Sequence, residues 1–334
     1  MRCMALADAF RAAGADVRFC VSESTPGTVP ELKSAFPDSL LGFCGDISEV
    51  ERLERVFDAG ADVLVIDHYG IGAEYEKAAG RFTRSLLVID DFPNRAHAAT
   101  HLVDTTHGRR PDEYSAVVDP GTVLMCGSAY AMLRRPFRVR RPETAVMPGG
   151  GGRFNVLVTF GMSDAPNVSG LAVKALADLA SRLSVTLVLG SGAPHLEALR
   201  KAISDIGSHW RLVVDADAER MAVLTAEADL VIGAPGSASY ERCCLGKPTL
   251  LVQLAENQSG NAAALVKAGA ARLIGIVPGV KPSDIRDAVV DLLDSPQAIH
   301  AMSQAALQVT DGRGVERIVA AVLGKFGPDA ALSR

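Results

Sequence analysis

Short apolar segments recur along the chain, and helix-like segments separate them. The clearest apolar segments are residues 62–66, 84–89, 155–160, 185–189 and 230–232. Strands that alternate with helices are typical of a parallel sheet covered on both faces, and such sheets bind ligands beyond the carboxyl ends of their strands. The sequence therefore predicts a doubly wound α/β fold with its functional residues at those strand ends.

The composition changes over residues 134–153, where Arg, Pro and Gly predominate. A chain of 334 residues is longer than one typical α/β domain, so a domain boundary is expected. We interpret residues 1–137 as an N-terminal Rossmann-like domain, 138–153 as a linker and 154–334 as a C-terminal Rossmann-like domain that ends in packing helices. The arginines of this segment are interpreted as part of a solvated connection: Arg134, Arg135, Arg138, Arg140 and Arg141.

Charge and cysteine content exclude several classes of function. The formal net charge of -5 argues against a nucleic-acid partner, because phosphate-backbone binding needs clustered Lys and Arg. No apolar run has membrane-spanning length and the N-terminus lacks a signal-peptide pattern, so we expect a cytoplasmic protein with no membrane partner. The 6 cysteines include no C-x-x-C pair, so neither structural zinc nor a disulfide scaffold is expected.

Two pairs of residues have the spacing of weak metal motifs. Asp215 and Asp217 resemble an acidic metal-binding pair, but a helix is predicted to begin just after them, so we interpret them as capping residues. His97 and His101 could share a helix face; without an obvious third ligand, a packing or surface role is the preferred interpretation. We expect neither a metal nor a cofactor.

Two glycine-containing loops follow predicted strands of the second half, at residues 161–164 and 233–237. Each precedes a predicted helix, whose first N–H groups have no partner inside the helix and attract anions. Two such loops in one sheet favour a diphosphate ligand over a single phosphate. The alternative is that the glycines serve only tight packing, since neither loop has a Walker or a G-x-G-x-x-G pattern.

Candidate polar groups lie at other element ends. His68, next to Asp67 and Tyr69, could supply acid–base chemistry, although a histidine at a strand end is more often only hydrogen-bonded. Asn257 and Gln258 offer amides at the start of a helix, where they could bind sugar hydroxyl or acetamido groups or simply cap the helix.

Several motifs, in order over residues 1–275, resemble one enzyme family. It is the family of UDP-2,4-diacetamido-2,4,6-trideoxy-β-L-altropyranose hydrolases of pseudaminic acid biosynthesis, related in fold to MurG-type GT-B glycosyltransferases. The segments that carry the resemblance are Met1-Arg2-Cys3-Met4, Ile66-Asp67-His68-Tyr69-Gly70, Ile89-Asp90-Asp91-Phe92-Pro93-Asn94-Arg95 with His97, Phe160-Gly161-Met162-Ser163-Asp164, residues 233–248 and Asn257-Gln258.

The resemblance implies a GT-B-like fold and metal-independent hydrolysis of a UDP-sugar, in which water attacks the anomeric carbon and UDP leaves. Tyr69, Glu241 and Asn257 would lie at the sugar or in the active cleft, and we add His68 as a candidate acid or base. The expected substrate-binding residues are Gly161, Ser163, Asp164, Gly233, Gly236, Ser237, Ala238 and Gln258.

The chain also departs from the family pattern. Members open with a strand and a G-x-G-H turn before the Met-Arg-Cys helix, and that histidine is the expected general base. The printed sequence contains neither, which favours a start placed downstream of the true one over a real truncation, because loss of this strand would expose a sheet edge. Met162, Pro235 and Tyr240 replace residues that are common in the family. A GT-B glycosyltransferase and a catalytically impaired UDP-sugar-binding protein remain as alternatives.

Overall fold

The computed structural model describes residues 1–29, 31–145 and 152–324. The chain forms two compact units, of which the first comprises Met1–Met132 together with the chain from Arg313, and the second comprises Leu133–Gly312. Part of the predicted linker, residues 146–151, lies outside the described residues. Among those that are described, no helix is both long and apolar enough to cross a membrane.

Within its described residues, the N-terminal unit contains six parallel strands in two separate sheets. One sheet pairs the two short strands β1 (Cys20–Val21) and β2 (Leu40–Leu41). The other has the order β3-β4-β5-β6, formed by β3 (Ala61–Ile66), β4 (Thr83–Ile89), β5 (His101–Asp104) and β6 (Val123–Cys126). The helices before and between these strands are α1 (Arg2–Ala12), α2 (Thr25–Thr28), α3 (Glu31–Ala35), α4 (Glu49–Val56) and α5 (Ala73–Ala79).

In the part of the C-terminal unit that the structure describes, six parallel strands form one sheet in the order β12-β11-β10-β7-β8-β9. Its strands are β7 (Phe154–Thr159), β8 (Leu183–Leu189), β9 (Trp210–Val214), β10 (Leu230–Gly233), β11 (Thr249–Gln253) and β12 (Ala271–Ile276). Its helices are α6 (Arg135–Val139), α7 (Val168–Leu176), α8 (Leu196–Ser204), α9 (Ala218–Glu227), α10 (Ala238–Cys244), α11 (Ser259–Lys267), α12 (Pro282–Leu293) and α13 (Pro296–Val309). The predicted parallel α/β architecture of both halves is confirmed.

The last helix, α14 (Gly314–Val322), belongs to the N-terminal unit. Its buried Ile318 joins Leu6 and Phe10 of α1 and Leu87 of β4 in one apolar cluster. Burial of such side chains contributes roughly 1.5–3 kcal/mol each. The sequence predicts that the whole chain after residue 154 belongs to the second domain, whereas the structure assigns this helix to the first unit.

The basic segment after residue 133 differs from its predicted form. It is not a solvated connection: α6 buries Phe137 against Ala222 and Leu245 of the C-terminal unit. The half-buried Arg141 donates to the carbonyl oxygens of Cys244, Leu307 and Thr310 at 2.7 to 3.1 Å. Because these carbonyl acceptors come from distant parts of the chain, the charge run alone suggested only a solvated surface.

Candidate functional site

The strand order of the C-terminal unit reverses between two neighbouring strands, β7 and β10. From β7 the chain continues outward to β8 and β9, and from β10 it continues to β11 and β12 on the other side. Thr159 at the end of β7 is paired with Gly233 at the end of β10. Since a crevice forms where the strand order of a parallel sheet reverses, the two glycine loops leave the sheet at a binding position.

The loop after β7 presents small and exposed residues. Gly161 has a φ of +87°, a conformation that side chains other than glycine rarely adopt, and Ser163 is exposed. Asp164 is buried, and its two carboxylate oxygens accept hydrogen bonds from the amides of Val168 and Ser169 at 3.0 and 2.8 Å. Asp164 therefore caps α7 with its own negative charge, while the loop residues before it remain open.

The loop after β10 is here called the β10 turn (residues 234–237). The position just before it, Gly233, is closely packed, whereas Gly236 inside it borders open space. A Cβ at Gly233 would lie 2.8 Å from the carbonyl oxygen of Thr159, whereas a Cβ at Gly236 would meet nothing within 4 Å. The glycine at 233 thus serves tight packing, as the alternative interpretation of this loop proposed. Ser237 and Ala238, at the start of α10, are exposed.

Side chains hold three consecutive carbonyl groups of the β10 turn. Arg242 donates to the oxygen of Ala234 at 2.7 Å, and Asn261 Nδ2 donates to the oxygens of Pro235 and Gly236 at 2.8 and 3.3 Å. Tyr240 in turn donates its hydroxyl to Asn261 Oδ1 at 2.7 Å. Nothing in the sequence pattern indicates these roles of Asn261 and Arg242, because their partners are backbone atoms of a loop.

Glu241 is not free at the surface of α10. It is 9% exposed, and Arg134 donates to its two carboxylate oxygens at 2.7 and 2.8 Å. A bidentate guanidinium–carboxylate pair fixes the orientation of both side chains. The predicted role of Glu241 at the sugar therefore involves a carboxylate that Arg134 already orients.

The predicted amide pair follows β11. Asn257 is exposed in the short 3₁₀ turn Glu256–Gln258. Gln258 uses its side-chain oxygen to accept a hydrogen bond from the amide of Leu254 at 2.9 Å, so it holds the chain as it leaves the strand. Of the two, Asn257 presents its side chain to solvent.

In the N-terminal unit, polar groups converge at the carboxyl ends of β3 and β4. Arg2 donates to Asp67 at 2.6 and 3.0 Å and to Asp91 at 2.8 Å. The hydroxyl of Tyr69 donates to the same Asp91 oxygen at 3.1 Å. The ring of Tyr69 packs on Phe92 with centroids 5.6 Å apart. Arg2 thereby joins the ends of two strands.

The charges of this cluster shift its ionisation. Partial burial and the Asp91 carboxylate raise the pKa of Tyr69, so the phenol stays protonated near neutral pH. Burial acts to raise the pKa of Asp67, but the hydrogen bonds and charge of Arg2 outweigh it and lower that pKa. His68 is exposed, and its Nδ1 accepts a hydrogen bond from the amide of Gly70 at 3.1 Å.

A buried histidine, His97, contacts Asp90, the residue that precedes Asp91 of this cluster. His97 contacts Glu76 at 2.7 Å and Asp90 at 2.9 Å, one through each ring nitrogen. Burial acts to lower the pKa of His97, but the two carboxylates outweigh it and raise the pKa to about 9, so the ring is a cation at neutral pH. His97 and His101 do not share a helix face, since His97 lies in a loop and His101 begins β5, and the burial of His97 agrees with the preferred packing role.

The weak metal motifs have other partners. Asp217 precedes α9 and accepts a hydrogen bond from the amide of Arg220 at 2.7 Å, which confirms the capping interpretation for this residue. Asp215 does not cap α9, because it accepts from the amide of Ser191, in the loop after β8, at 2.8 Å. Among the residues that the structure describes, no group of three or more His, Cys, Asp and Glu side chains could hold a metal ion.

A known family model matches most of the C-terminal unit and the first residues of α14. Residues 155–318 match the glycosyltransferase family 28 C-terminal domain. Both glycine loops, α10 and Asn257 lie inside this match.

Two relatives extend the similarity over more of the chain. The spore coat polysaccharide biosynthesis protein SpsG of Bacillus subtilis is 27% identical over 272 residues, which cover 80% of this chain and 78% of SpsG. The UDP-2,4-diacetamido-2,4,6-trideoxy-beta-L-altropyranose hydrolase of Campylobacter jejuni is 24% identical over 219 residues, 66% of this chain and 76% of the hydrolase. The latter confirms the resemblance found in the sequence as a distant similarity.

The fold has solved relatives. MurG of Acinetobacter baumannii superposes with a TM-score of 0.64 at 16% sequence identity, covering 97% of this chain and 95% of that one. This similarity, together with the domain match, confirms the predicted GT-B-like fold with two Rossmann-like units.

Proposed function

We propose that this chain is a UDP-sugar-processing enzyme and, more specifically, a hydrolase that releases UDP from UDP-2,4-diacetamido-2,4,6-trideoxy-β-L-altropyranose in pseudaminic acid biosynthesis. The observation that carries the proposal is the pair of open loops at the β7/β10 reversal, inside the segment that matches the glycosyltransferase family 28 C-terminal domain. The named hydrolase of Campylobacter jejuni supports the finer assignment, because its similarity extends into the N-terminal unit.

In this proposal the C-terminal unit binds the UDP part of the substrate. The backbone of Gly161, Ser163, Gly236 and Ser237 faces the phosphates, and the small Ala238 leaves room for them. Gly233 and Asp164 act indirectly, the first by close packing and the second by capping α7. Glu241, Asn257 and Gln258 serve the sugar side.

Hydrolysis needs a group that activates water and groups that hold the sugar while its anomeric C–O bond breaks. We assign Tyr69 to the substrate, since its protonated hydroxyl is oriented by Asp91. His68 is the exposed candidate for a base in the printed chain. The diphosphate leaves with the bonding electrons, so donors at the two loops would stabilise its developing charge. No metal or other cofactor takes part in the proposed reaction.

The experiment is hydrolysis of the UDP-sugar in H₂¹⁸O without an added acceptor. We expect UDP without label and a free sugar that carries ¹⁸O, because water attacks carbon rather than phosphorus. Tyr69→Phe should lower kcat by ~10-fold or more, whereas Tyr75→Phe, a buried tyrosine of α5, should leave kcat near the wild-type value. Label in UDP, in UMP or in a sugar phosphate would contradict the proposal, because each requires attack at phosphorus.

A second candidate is a glycosyltransferase, which the family 28 match itself favours. In that case UDP release would depend on an added acceptor. Tight UDP binding with no turnover under either condition would instead favour a UDP-sugar-binding protein.

A further inference from the structure

Tyr69, in the loop after β3, is held by three contacts with the loop that follows β4. Its hydroxyl donates to Asp91 at 3.1 Å, and its ring packs on Phe92. Its carbonyl oxygen accepts a hydrogen bond from Nη1 of Arg95. Because Tyr69 is 49% exposed, packing in the core contributes little to its position. The place of its hydroxyl therefore depends on how the loop after β4 is itself held.

Asp90 is the fixed point of that loop, and it is fully buried. Its amide donates to the oxygen of Val103 at 3.0 Å, and its carbonyl oxygen accepts from the hydroxyl of Tyr114 at 2.9 Å. Its carboxylate contacts His97 at 2.9 Å through one oxygen and Arg95 at 3.1 Å through the other. Since each polar atom of Asp90 has a partner, the carboxylate cannot rotate without breaking a buried hydrogen bond.

Arg95 connects this fixed carboxylate to Tyr69. Its Nη2 donates to Asp90, while its Nη1 donates to the carbonyl oxygen of Tyr69. A guanidinium is planar and rigid, so the nitrogen held by Asp90 determines where the other nitrogen points. The buried Nε has no hydrogen-bond partner among the described residues, so the two terminal nitrogens orient the side chain.

We propose that Arg95 is a positioning residue, which holds the main chain of Tyr69 so that the phenol stays beside Asp91 in one place for a ligand. With its proton donated to Asp91, the phenol oxygen can still accept a hydrogen bond, which fits a hydroxyl or amide N–H donor of a sugar. That Tyr69 contacts the substrate rests on the proposed function, whereas the dependence of its hydroxyl on Arg95 does not.

The first experiment measures hydrolysis of the UDP-sugar by the full chain. Arg95→Met should lower kcat by ~10-fold or more, because small displacements of a group at the substrate are costly. It should leave UDP affinity unchanged, since in the proposed function UDP binds to the C-terminal unit. In a Tyr69→Phe background the same substitution should cost less than ~2-fold, because the hydroxyl through which it acts is already absent. Arg84→Met removes an exposed cation of β4 and should change neither kcat nor UDP affinity.

The second experiment needs no substrate. Tyrosine labelled with ¹³C at Cζ reports each phenol by NMR at neutral pH, and Tyr69→Phe identifies the signal of Tyr69. Asp91→Asn removes the carboxylate acceptor and so gives the signal position of a phenol without it. In Arg95→Met the Tyr69 signal should move toward that position, because the hydroxyl is no longer held beside Asp91. In Arg84→Met it should stay at the wild-type position.

Equal fold losses of kcat from Arg95→Met in the two backgrounds, or a Tyr69 signal that stays at the wild-type position in this variant, would overturn the inference. Should Arg95→Met fail to fold, Arg95→Lys takes its place, since it keeps a cation beside Asp90 without the rigid second arm. The same two changes are expected from it. Absence of hydrolysis by every protein, together with a Tyr69 signal that depends on Arg95, would overturn the proposed function alone.

Discussion

His97 Nε2 lies 2.9 Å from Asp90 Oδ2, and both side chains are fully buried. Because Glu76 binds the other ring nitrogen, a protonated imidazole donates to both carboxylates. Asp90 directly follows β4 and precedes Asp91, the residue that Tyr69 and Arg2 contact. The buried cation thus holds the strand end on which the polar cluster is built.

The first prediction concerns pH. The pKa of His97 is raised from 6.5 to about 9 in the folded protein, so its contribution to stability is complete below pH 6.5 and is lost as the pH rises through 9. We expect a decrease of no more than about 3 kcal/mol in the free energy of unfolding over this range. Urea titrations at several pH values measure it.

The control is the pH dependence of a variant without the imidazole. His97→Gln should be less stable than the wild type at pH 6.5, by about 3 kcal/mol, since two buried carboxylates lose their cation. The difference between the two proteins should shrink toward higher pH. A constant difference would mean that the ring is neutral in the folded protein, and the exposed His209→Gln should show no difference at all.

The second prediction concerns the pair of Arg134 and Glu241. Arg134→Met should lower the free energy of unfolding by about 3 kcal/mol, because it leaves a buried carboxylate without its partner. The double variant Arg134→Met/Glu241→Met should be less destabilised than the sum of the single variants. Additive losses in this cycle, measured by urea titration, would mean that the two side chains do not interact in solution.

The third prediction compares the effects of substituting Gly233, the last residue of β10, and Gly236 in the β10 turn. Gly233→Ala should destabilise the protein by about 1–3 kcal/mol, since its Cβ would lie under 3 Å from the Thr159 oxygen and from Arg242. Gly236→Ala meets open space and should fold normally, yet it should weaken UDP binding because the methyl group would stand in the ligand's place. Calorimetry and thermal unfolding of both variants measure the two effects. Full UDP affinity in Gly236→Ala would mean that the phosphate does not bind at this turn.

The fourth prediction concerns amide exchange in β3. Among the residues that the structure describes, this strand pairs with β4 on one side only, whereas β10 lies between two strands. Alternate amides of β3 therefore lack a ladder acceptor within the described chain, and we expect them to exchange ~100-fold faster or more than those of β10. Hydrogen exchange read by mass spectrometry or NMR tests this. Uniform slow exchange along β3 would show that a further segment covers its edge.

The sequence was sufficient for the elements of the fold because each strand carries its own local signal. The apolar residues Leu230 to Ile232, followed by small residues, predicted a strand and turn that the structure confirms. Helix α14 shows the limit: its amphipathic pattern predicts a helix, but only the apolar cluster with Phe10 and Leu87 decides which unit it joins.

The site was less predictable, since its decisive contacts join distant residues. Arg134 and Glu241 are 107 positions apart, and the arginine stood in a basic run that suggested solvent exposure. The sequence singles out His97 by its spacing from His101, whereas its actual partners, Glu76 and Asp90, are ordinary acidic residues in sequence. Such pairs emerge only once the strands place them together.

The β10 turn has a consequence for the thermodynamics of binding. Arg242 and Asn261 hold its three carbonyl groups in the absence of any ligand, so the turn already has one shape. A ligand that binds there loses little of its interaction energy to ordering the loop, because that conformational entropy was lost on folding. Selectivity among anions then depends on how well each anion fits the fixed conformation of the turn, because the turn does not change its conformation to suit the ligand.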